Sequence, residues 1–195
     1  AITTADGNTF VGYAAGDATT TAGNNTAVGK AALTANTTGI NNTVIGSLAG
    51  DANTTGHYNV ALGTLSLSAN TTADGNTAVG YAALTGNTTG AGNVAIGREA
   101  LGASTTGNYN IALGSYALDA NVTAHRSTAI GYEALTASNV SGNSNTANTA
   151  VGFQAGLSAT TAINSVFVGT SAGDAVTTGS GNVAMGVNSL GATDD

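Results

Sequence analysis

The fold is decided by a 17-residue unit whose clearest copy is residues 76–92, N-T-A-V-G-Y-A-A-L-T-G-N-T-T-G-A-G. Outward from this copy the unit recurs in both directions, and each copy carries one glycine directly after a triplet such as T-A-V. Nine of the ten intervals between these marker glycines are 17 residues long, and one is 21. A fixed period of this kind is typical of a repeat architecture. The marker glycines are Gly12, Gly29, Gly46, Gly63, Gly80, Gly97, Gly114, Gly131, Gly152, Gly169 and Gly186.

Several positions of the unit, numbered from the marker glycine as position 0, hold one kind of residue throughout. Position −1 is aliphatic or Met, position +3 is Ala or Ser, and position +4 is Leu or Gly. Because so short a coil brings its faces close together, we expect these three columns to point inward and large side chains to be excluded. Position −4 is Asn in nine copies, with Ser127 and Ser165 in the other two. We expect these stacked amides to hydrogen-bond along the rod.

These features predict an all-β fold, a parallel β-solenoid (β-roll) of eleven coils that forms a single domain over residues 1–195. A helical repeat is disfavoured because every unit contains β-branched residues and glycine but no apolar 3.6-residue pattern. We expect two short strands per coil, one ending in T-A-V-G or N-V-A-I-G and one around A-L-x-A-N, with Gly and Asn at the corners. At about 4.8 Å per coil the rod is about 50 Å long. The four extra residues between Gly131 and Gly152 predict an insertion near 138–145.

The composition excludes several classes of function. Ala, Thr, Gly and Asn make up 122 of the 195 residues, and only 7% are charged. Stacking explains this, because a charge repeated in a column would face a like charge in every coil. The three cations, Lys30, Arg98 and Arg126, are too few for nucleic-acid binding or for a basic membrane patch. Apolar runs of three or four residues, against the roughly 20 that span a bilayer, exclude membrane insertion by this segment.

No catalytic, cofactor or metal site is indicated, so we expect the protein not to be an enzyme. His57 and His125 occupy the same repeat position four coils apart, where they cannot share a metal ion, and we interpret them as polar corner residues. Glu99 and Glu133 are two coils apart and are not spaced as a glycosidase pair. Four aspartates share position +5, and we interpret them as turn formers rather than calcium ligands. They are Asp17, Asp51, Asp119 and Asp174.

The tyrosines are the candidate ligand contacts. Tyr13, Tyr81 and Tyr132 follow the marker glycine directly, as does Phe153, while Tyr58 and Tyr109 lie five residues before it. An exposed tyrosine offers an apolar face and a polar tip, which suits stacking on a sugar ring. The alternative is that these rings cover the roll or a groove between chains.

Thr pairs form a further column in the N-T-T segments. Hydroxyl and methyl groups in register are a feature of some ice-binding β-solenoids, although adjacent residues of a strand face opposite sides. Thermal hysteresis would distinguish this alternative. The same segments create most of the N-x-[ST] glycosylation motifs, which begin at Asn24, Asn36, Asn41, Asn53, Asn70, Asn87, Asn121 and Asn139.

The motifs N-T-A-V-G, N-V-A-I-G and N-I-A-L-G, each followed by x-x-A-L, resemble the head repeats of trimeric autotransporter adhesins. Similar repeats occur in phage tail-fibre proteins. The resemblance covers essentially the whole chain, although its period is longer than that of the adhesin head and N-T-T-G is an added segment. It implies a left-handed roll, three chains packed side by side, and an extracellular place on a cell surface or a virion fibre.

Together these observations predict a non-enzymatic extracellular structural or adhesive module, the trimeric head or shaft of a surface adhesin or phage tail fibre. The predicted partners are the chain itself, as a homotrimer or filament, and a host-surface glycan or matrix protein. A single roll of small coils buries little apolar area, which also favours association between identical copies. The alternatives are a self-assembling extracellular filament and an ice-binding solenoid. Concentration-dependent fibres would favour the filament.

Overall fold

The computed structural model describes residues 6–139 and 145–191 and arranges them as a parallel β-solenoid. Eleven three-residue strands form a single parallel sheet in chain order, which confirms the all-β prediction. The strands are β1 (Thr9–Val11), β2 (Thr26–Val28), β3 (Thr43–Ile45), β4 (Val60–Leu62), β5 (Thr77–Val79), β6 (Val94–Ile96), β7 (Ile111–Leu113), β8 (Thr128–Ile130), β9 (Thr149–Val151), β10 (Val166–Val168) and β11 (Val183–Met185). We number each coil by its strand. Most of the predicted insertion, 140–144, lies outside the described residues, as do 1–5 and 192–195.

The register places each residue on its counterpart in the next copy. Ala78 of β5 faces Ala95 of β6, which faces Ala112 of β7. Across the 21-residue interval Ala129 pairs with Ala150, so the extra residues leave the sheet in phase. The marker glycine ends each strand, with φ between 114° and 143°, a conformation that L side chains rarely adopt.

The core is built from the central strand residue together with positions +3 and +4. Ala78, Ala83 and Leu84 of coil 5 are fully buried, and the same holds for their counterparts in coils 6 to 8. The inward orientation predicted for position −1 is wrong, since Leu62 is 44% exposed and Met185 69% exposed. Alternate residues of a strand face opposite sides, so a buried central residue turns both of its neighbours outward.

Large side chains enter the core where glycine makes room for them, contrary to the predicted exclusion. Phe167 is fully buried, and a Cβ added to Gly156 or Gly173, both at position +4, would collide with its ring. Val44 likewise packs against Gly50. Coils with Ala at the strand centre mostly carry Leu at position +4 instead. A large residue at the strand centre is thus accompanied by glycine at position +4, and Ala at the strand centre mostly by Leu at position +4. This compensation keeps the interior filled, as close packing requires.

The predicted second strand around A-L-x-A-N is absent from the described coils. Positions +2 and +4 have positive φ even where they are not glycine, as at Ala82 (54°) and Leu84 (52°). These left-handed residues take the segment out of the β conformation. Its backbone still joins neighbouring coils, because Ala82 N–H donates to Thr64 C=O and Leu84 N–H donates to Ala100 C=O, each at 3.0 Å.

Two columns of buried amides run along the rod. In the predicted column at position −4, Asn76 Oδ1 accepts the backbone N–H of Asn93 at 2.9 Å, and Asn76 Nδ2 donates to Gly90 C=O at 2.9 Å. The pattern repeats between successive coils, which confirms the expected amide ladder. A second column at position +7 was not predicted. There Asn70 Nδ2 donates to Asn53 Oδ1 at 2.7 Å, and Asn87 Nδ2 donates to the same Gly90 carbonyl at 2.9 Å.

Candidate functional site

Positions +1 and +2 bring aromatic and cationic side chains of coils 5 to 9 into one row, which we call the aromatic ladder. The guanidinium carbon of Arg98 lies 5.9 Å from the ring centroid of Tyr81 and 5.5 Å from that of Tyr116. Tyr116 meets Tyr132 edge-on at 6.1 Å, and Tyr132 stacks on Phe153 at 5.5 Å with the planes 11° apart. These aromatic faces are therefore used within the ladder, which covers this corner of the roll. The sequence analysis did not include Arg98 and Tyr116 in this row. Their separations from Tyr81 and Tyr132, respectively, equal the length of one repeat unit to within one residue.

The carboxylates beside the ladder also have partners. Glu99 accepts from Arg98 Nε at 3.1 Å, and Glu133 accepts from Gln154 Nε2 at 2.8 Å. A hydrogen bond with Glu133 raises the pKa of Tyr132 above its ordinary value, with burial and the negative charge of Glu133 acting in the same direction. The Gln154–Glu133 hydrogen bond joins coils 8 and 9, whereas Arg98 and Glu99 pair as neighbours within coil 6.

Position −6 caps backbone donors of the preceding coil. His57 Nδ1 accepts the N–H of Ile40 at 3.0 Å, and His125 Nδ1 accepts the N–H of Asn108 at 2.8 Å. Asp74 Oδ1 accepts the N–H of His57 at 2.6 Å in the same manner. This geometry assigns the histidines a structural role at the corner and agrees with their interpretation as polar corner residues.

An open pocket of about 260 Å³ lies at this corner, between coils 7 and 9. Its lining consists of Asn108, Tyr109, His125, Arg126 and Asn145. His125 and Asn145 form an isolated parallel bridge, which fixes the far wall. Of these five residues the sequence singled out Tyr109 as a ligand contact. Asn108, His125 and Arg126 share positions −6 and −5 with Tyr109 and could have been found from them, whereas Asn145, at position −7 within the 21-residue interval, could not.

The five candidate tyrosines do not form one site. Tyr81 and Tyr132 belong to the aromatic ladder, whereas Tyr58 and Tyr109 lie at the opposite end of the unit, at position −5, three coils apart. Tyr13 stands in coil 1 with 80% of its surface exposed. Only Tyr109 lines the described pocket, with 63% of its surface exposed.

The aspartates at position +5 differ in burial. Burial raises the pKa of Asp51, although the backbone N–H groups of Asp51 and Ala52 oppose the shift. Burial also raises the pKa of Asp119, and the negative charge of Glu99 adds to it. Within the described residues, no three His, Cys, Asp or Glu side chains lie close enough to hold a metal ion.

These shifts predict that the solenoid becomes more stable on mild acidification. A carboxyl whose pKa is raised on folding binds its proton more tightly in the folded state, so stability falls as pH rises from about 4, the ordinary aspartate value, through the raised pKa. We expect the midpoint of thermal unfolding, measured by circular dichroism, to be higher at pH 4 than at pH 7. The double variant Asp51→Asn/Asp119→Asn should flatten this slope, whereas Asp17→Asn, at an exposed site of the same column, should keep it. An unchanged slope in the double variant would contradict the assignment.

The Thr pairs present one exposed residue per coil. Thr37 Oγ1 donates to Thr54 C=O at 3.1 Å, and Thr54 Oγ1 donates to Thr71 C=O at 2.9 Å, so the first hydroxyl of each pair is used between coils. Thr38 and Thr55, the second members, are exposed. Across coils 2 to 6 the N-T-T pairs therefore present a single row of exposed threonines. Both members are exposed in the equivalent pairs of coils 1, 9 and 10, which are Thr20 and Thr21, Thr160 and Thr161, and Thr177 and Thr178.

Five of the glycosylation motifs have a buried asparagine in the second amide column. These residues are at most 2% exposed, which is incompatible with a glycan on their side chains in the folded protein. They are Asn36, Asn53, Asn70, Asn87 and Asn121.

Comparison with known proteins found no match to a family model, a curated protein or a solved structure. The likeness to adhesin head repeats and tail-fibre repeats therefore rests on the sequence motifs. In the part of the chain that the structure describes, no helix is both long and apolar enough to cross a membrane.

Proposed function

We propose that this chain is a non-enzymatic extracellular structural and adhesive module whose rods associate side by side as a homotrimer, forming the head or shaft of a surface adhesin or phage tail fibre. The observation that carries the proposal is the outward face of the sheet. This face consists of positions −3 and −1 of every strand, and we call it the sheet face.

The sheet face carries an unbroken row of apolar side chains at position −1 and contains no charged residue. Position −1 is aliphatic or Met in all eleven strands, and Ile96 in the middle of the rod is 41% exposed. Position −3 is β-branched throughout, Thr, Val or Ile. Eleven strands at the usual spacing make this face about 48 Å long. Monomeric proteins seldom leave a long contiguous apolar surface in water, so such a face indicates an interaction site.

A second copy of the same chain is the occupant that fits this face. Identical rods have identical length and period, so a ridge of aliphatic side chains meets its own pattern coil after coil. The absence of charge from positions −3 and −1 removes the like-charge repulsion that a net charge of −7 would otherwise bring to self-association. Closed symmetry around a shared axis covers the face in every copy, which an open pairing does not.

The described titratable groups support a structural role over a catalytic one. Glu99 is paired with Arg98, Glu133 accepts from Gln154, and both histidines cap backbone N–H groups. A stiff rod of this kind displays its corners away from the axis, and three copies multiply weak contacts through avidity.

The oligomeric mass tests the proposal. Light scattering coupled to size exclusion should give about 56 kDa, three times the chain mass of 18.6 kDa. The variant Leu62→Lys/Ile96→Lys places charges on the sheet face and should give the single-chain mass or insoluble protein, because buried unpaired ammonium groups are costly. Thr38→Lys/Thr72→Lys, with the same added charge on the exposed Thr row, should remain trimeric.

A wild-type mass of 18.6 kDa at micromolar concentration would overturn the trimer. Concentration-dependent fibres would replace it with the filament, and clear thermal hysteresis would replace adhesion with ice binding.

A further inference from the structure

The pocket at positions −6 and −5 carries an unusual charge for this chain. The whole chain has three cationic side chains. One of them, Arg98, pairs with Glu99, whereas Arg126 in the pocket has no carboxylate within ion-pair distance among the described residues. The pocket lining contains no Asp or Glu. An unpaired guanidinium in an open pocket of an acidic protein is a ready donor to an anionic group.

The lining also includes an aromatic ring from the neighbouring coil, Tyr109, which is at the same repeat position as Arg126 and packs on the backbone. The ring of Tyr109 lies over Gly92, where an added Cβ would be 2.8 Å from the ring Cδ1. One side of the ring thus packs on the chain while most of the side chain remains exposed. Unlike the rings of the aromatic ladder, Tyr109 makes no contact with another aromatic ring or with a cation among the described residues. An aromatic face of this kind packs against the C–H groups of a sugar ring.

The remaining lining supplies amides and is fixed by hydrogen bonds. Asn108 Oδ1 accepts the N–H of Ala91 at 2.7 Å, which directs its Nδ2 towards His125 Nδ1, 3.2 Å away. The exposed Asn145 closes the other side. Amide donors and acceptors beside an aromatic platform suit hydroxyl groups of a small ligand.

We infer that this pocket binds a single carboxylate-bearing sugar, with Arg126 on the carboxylate and Tyr109 against the ring. The volume is below the roughly 300–1,000 Å³ of pockets that enclose larger ligands, which favours one monosaccharide unit. One cation on a chain of net charge −7 matches a monoanion better than a phosphate dianion. This inference rests on the proposed adhesive function and names the chemistry that the module would recognise.

Saturation-transfer NMR with glucuronic acid and glucose tests the inference, because the two sugars differ only in the carboxylate. We expect glucuronic acid to bind wild-type protein about tenfold more tightly than glucose, with an affinity that falls as salt is added. Arg126→Gln should remove the preference for glucuronic acid over glucose, and Tyr109→Ala should weaken the binding of both sugars. The matched controls are Arg98→Gln, an arginine of the aromatic ladder, and Tyr58→Ala, the same repeat position in coil 4, and both should bind as wild type does.

Equal binding of glucose and glucuronic acid, or an equal loss in Arg98→Gln and Arg126→Gln, would overturn the inference. Displacement of glucuronic acid by inorganic phosphate at equal concentration would assign the pocket to phosphate instead. Circular dichroism and light scattering on each variant separate these results from misfolding or loss of the trimer. A correct trimer that binds no acidic sugar would contradict the inference and leave the oligomeric proposal standing.

Discussion

Gly97→Ala is expected to abolish folding of the solenoid or to lower its stability by about 4 kcal/mol or more, a range reached by few single substitutions. Gly97 has φ of 135°, and a Cβ at this position would lie 2.6 Å from the backbone carbonyl of Gly114 in the next coil and 2.9 Å from Ser115 N. Both neighbours are backbone atoms of a hydrogen-bonded ladder, so no side chain can rotate away. The coils must separate, and each repeat is stabilised chiefly by its neighbours.

Gly75→Ala provides the matched control in the same part of the rod. Gly75 has φ of 67°, and no atom lies within 4 Å of a Cβ added there. Non-glycine residues already occupy the same repeat position with φ of 58° at Tyr58 and Tyr109. We therefore expect a cost of only about 1 kcal/mol, the usual penalty of a left-handed L residue. Guanidinium unfolding followed by circular dichroism measures both variants, and equal midpoints for the two would refute the steric argument.

The marker glycines show why the sequence predicted the repeat so well. A column of glycine at a constant interval has one simple physical cause, the close approach of backbone to backbone in a stacked coil, and Gly97 against Gly114 is an example. The Asn column is equally informative, since an amide repeated in register can bond its own copies. Parallel stacking, coil length and the position −4 ladder followed from these two columns.

The direction of the strand residues was harder to predict. Position −1 looks like a core column because it is always aliphatic, but a three-residue strand has one inward position, and Ala78 rather than Val79 occupies it. Ala is small enough to suit several environments, so its column carried no clear signal. The apolar residues instead formed the sheet face, which is the basis of the proposed trimer.

The backbone conformation of the second half of the coil and the location of the pocket could not be predicted from the repeat columns of the sequence. Left-handed conformations at Ala82 and Leu84 contradict the intrinsic preference of both residues, and stacking imposes them. Arg126 precedes the 21-residue interval and Asn145 lies within it, where the period fails as a guide. A site built at an irregularity is therefore the part of this fold that periodicity predicts least.

Asn76→Ala is expected to destabilise the rod by about 2–4 kcal/mol, because it leaves a buried backbone donor without an acceptor and opens a small cavity. Asn76 is fully buried, and its Oδ1 accepts the N–H of Asn93 at 2.9 Å. Asn93 is also fully buried, so water does not replace the lost bond. The guanidinium midpoint should fall accordingly, with the oligomeric mass checked in parallel.

Asn87→Ala is the matched control, since both amides donate to the Gly90 carbonyl of the same coil. Asn87 Oδ1 is buried with no hydrogen-bond partner in the described structure, so its removal leaves no backbone donor unsatisfied. The variant also removes the bond from Asn87 Nδ2 to the buried Asn70 Oδ1 at 3.2 Å and leaves that side-chain acceptor unsatisfied. Because no backbone N–H loses its acceptor and an unpartnered oxygen is removed, we expect Asn87→Ala to cost less than Asn76→Ala. A larger loss in Asn87→Ala would show that cavity formation, rather than the ladder, dominates.

Asn76→Ser separates the acceptor from the rest of the amide. The chain already uses serine at this repeat position, where Ser165 Oγ accepts the N–H of Asn182 at 3.1 Å. A hydroxyl at position 76 would keep an acceptor for Asn93 N–H while losing the bond to Gly90 C=O, which still receives Asn87 Nδ2. Its stability should therefore lie between those of the wild type and Asn76→Ala. Asn76→Asp should be the least stable of the three, since its carboxylate would be buried without a cation and would lose the donor to Gly90. This order, Asn above Ser above Ala above Asp, is expected only if the column is held together by its hydrogen bonds, because side-chain volume would rank aspartate beside asparagine.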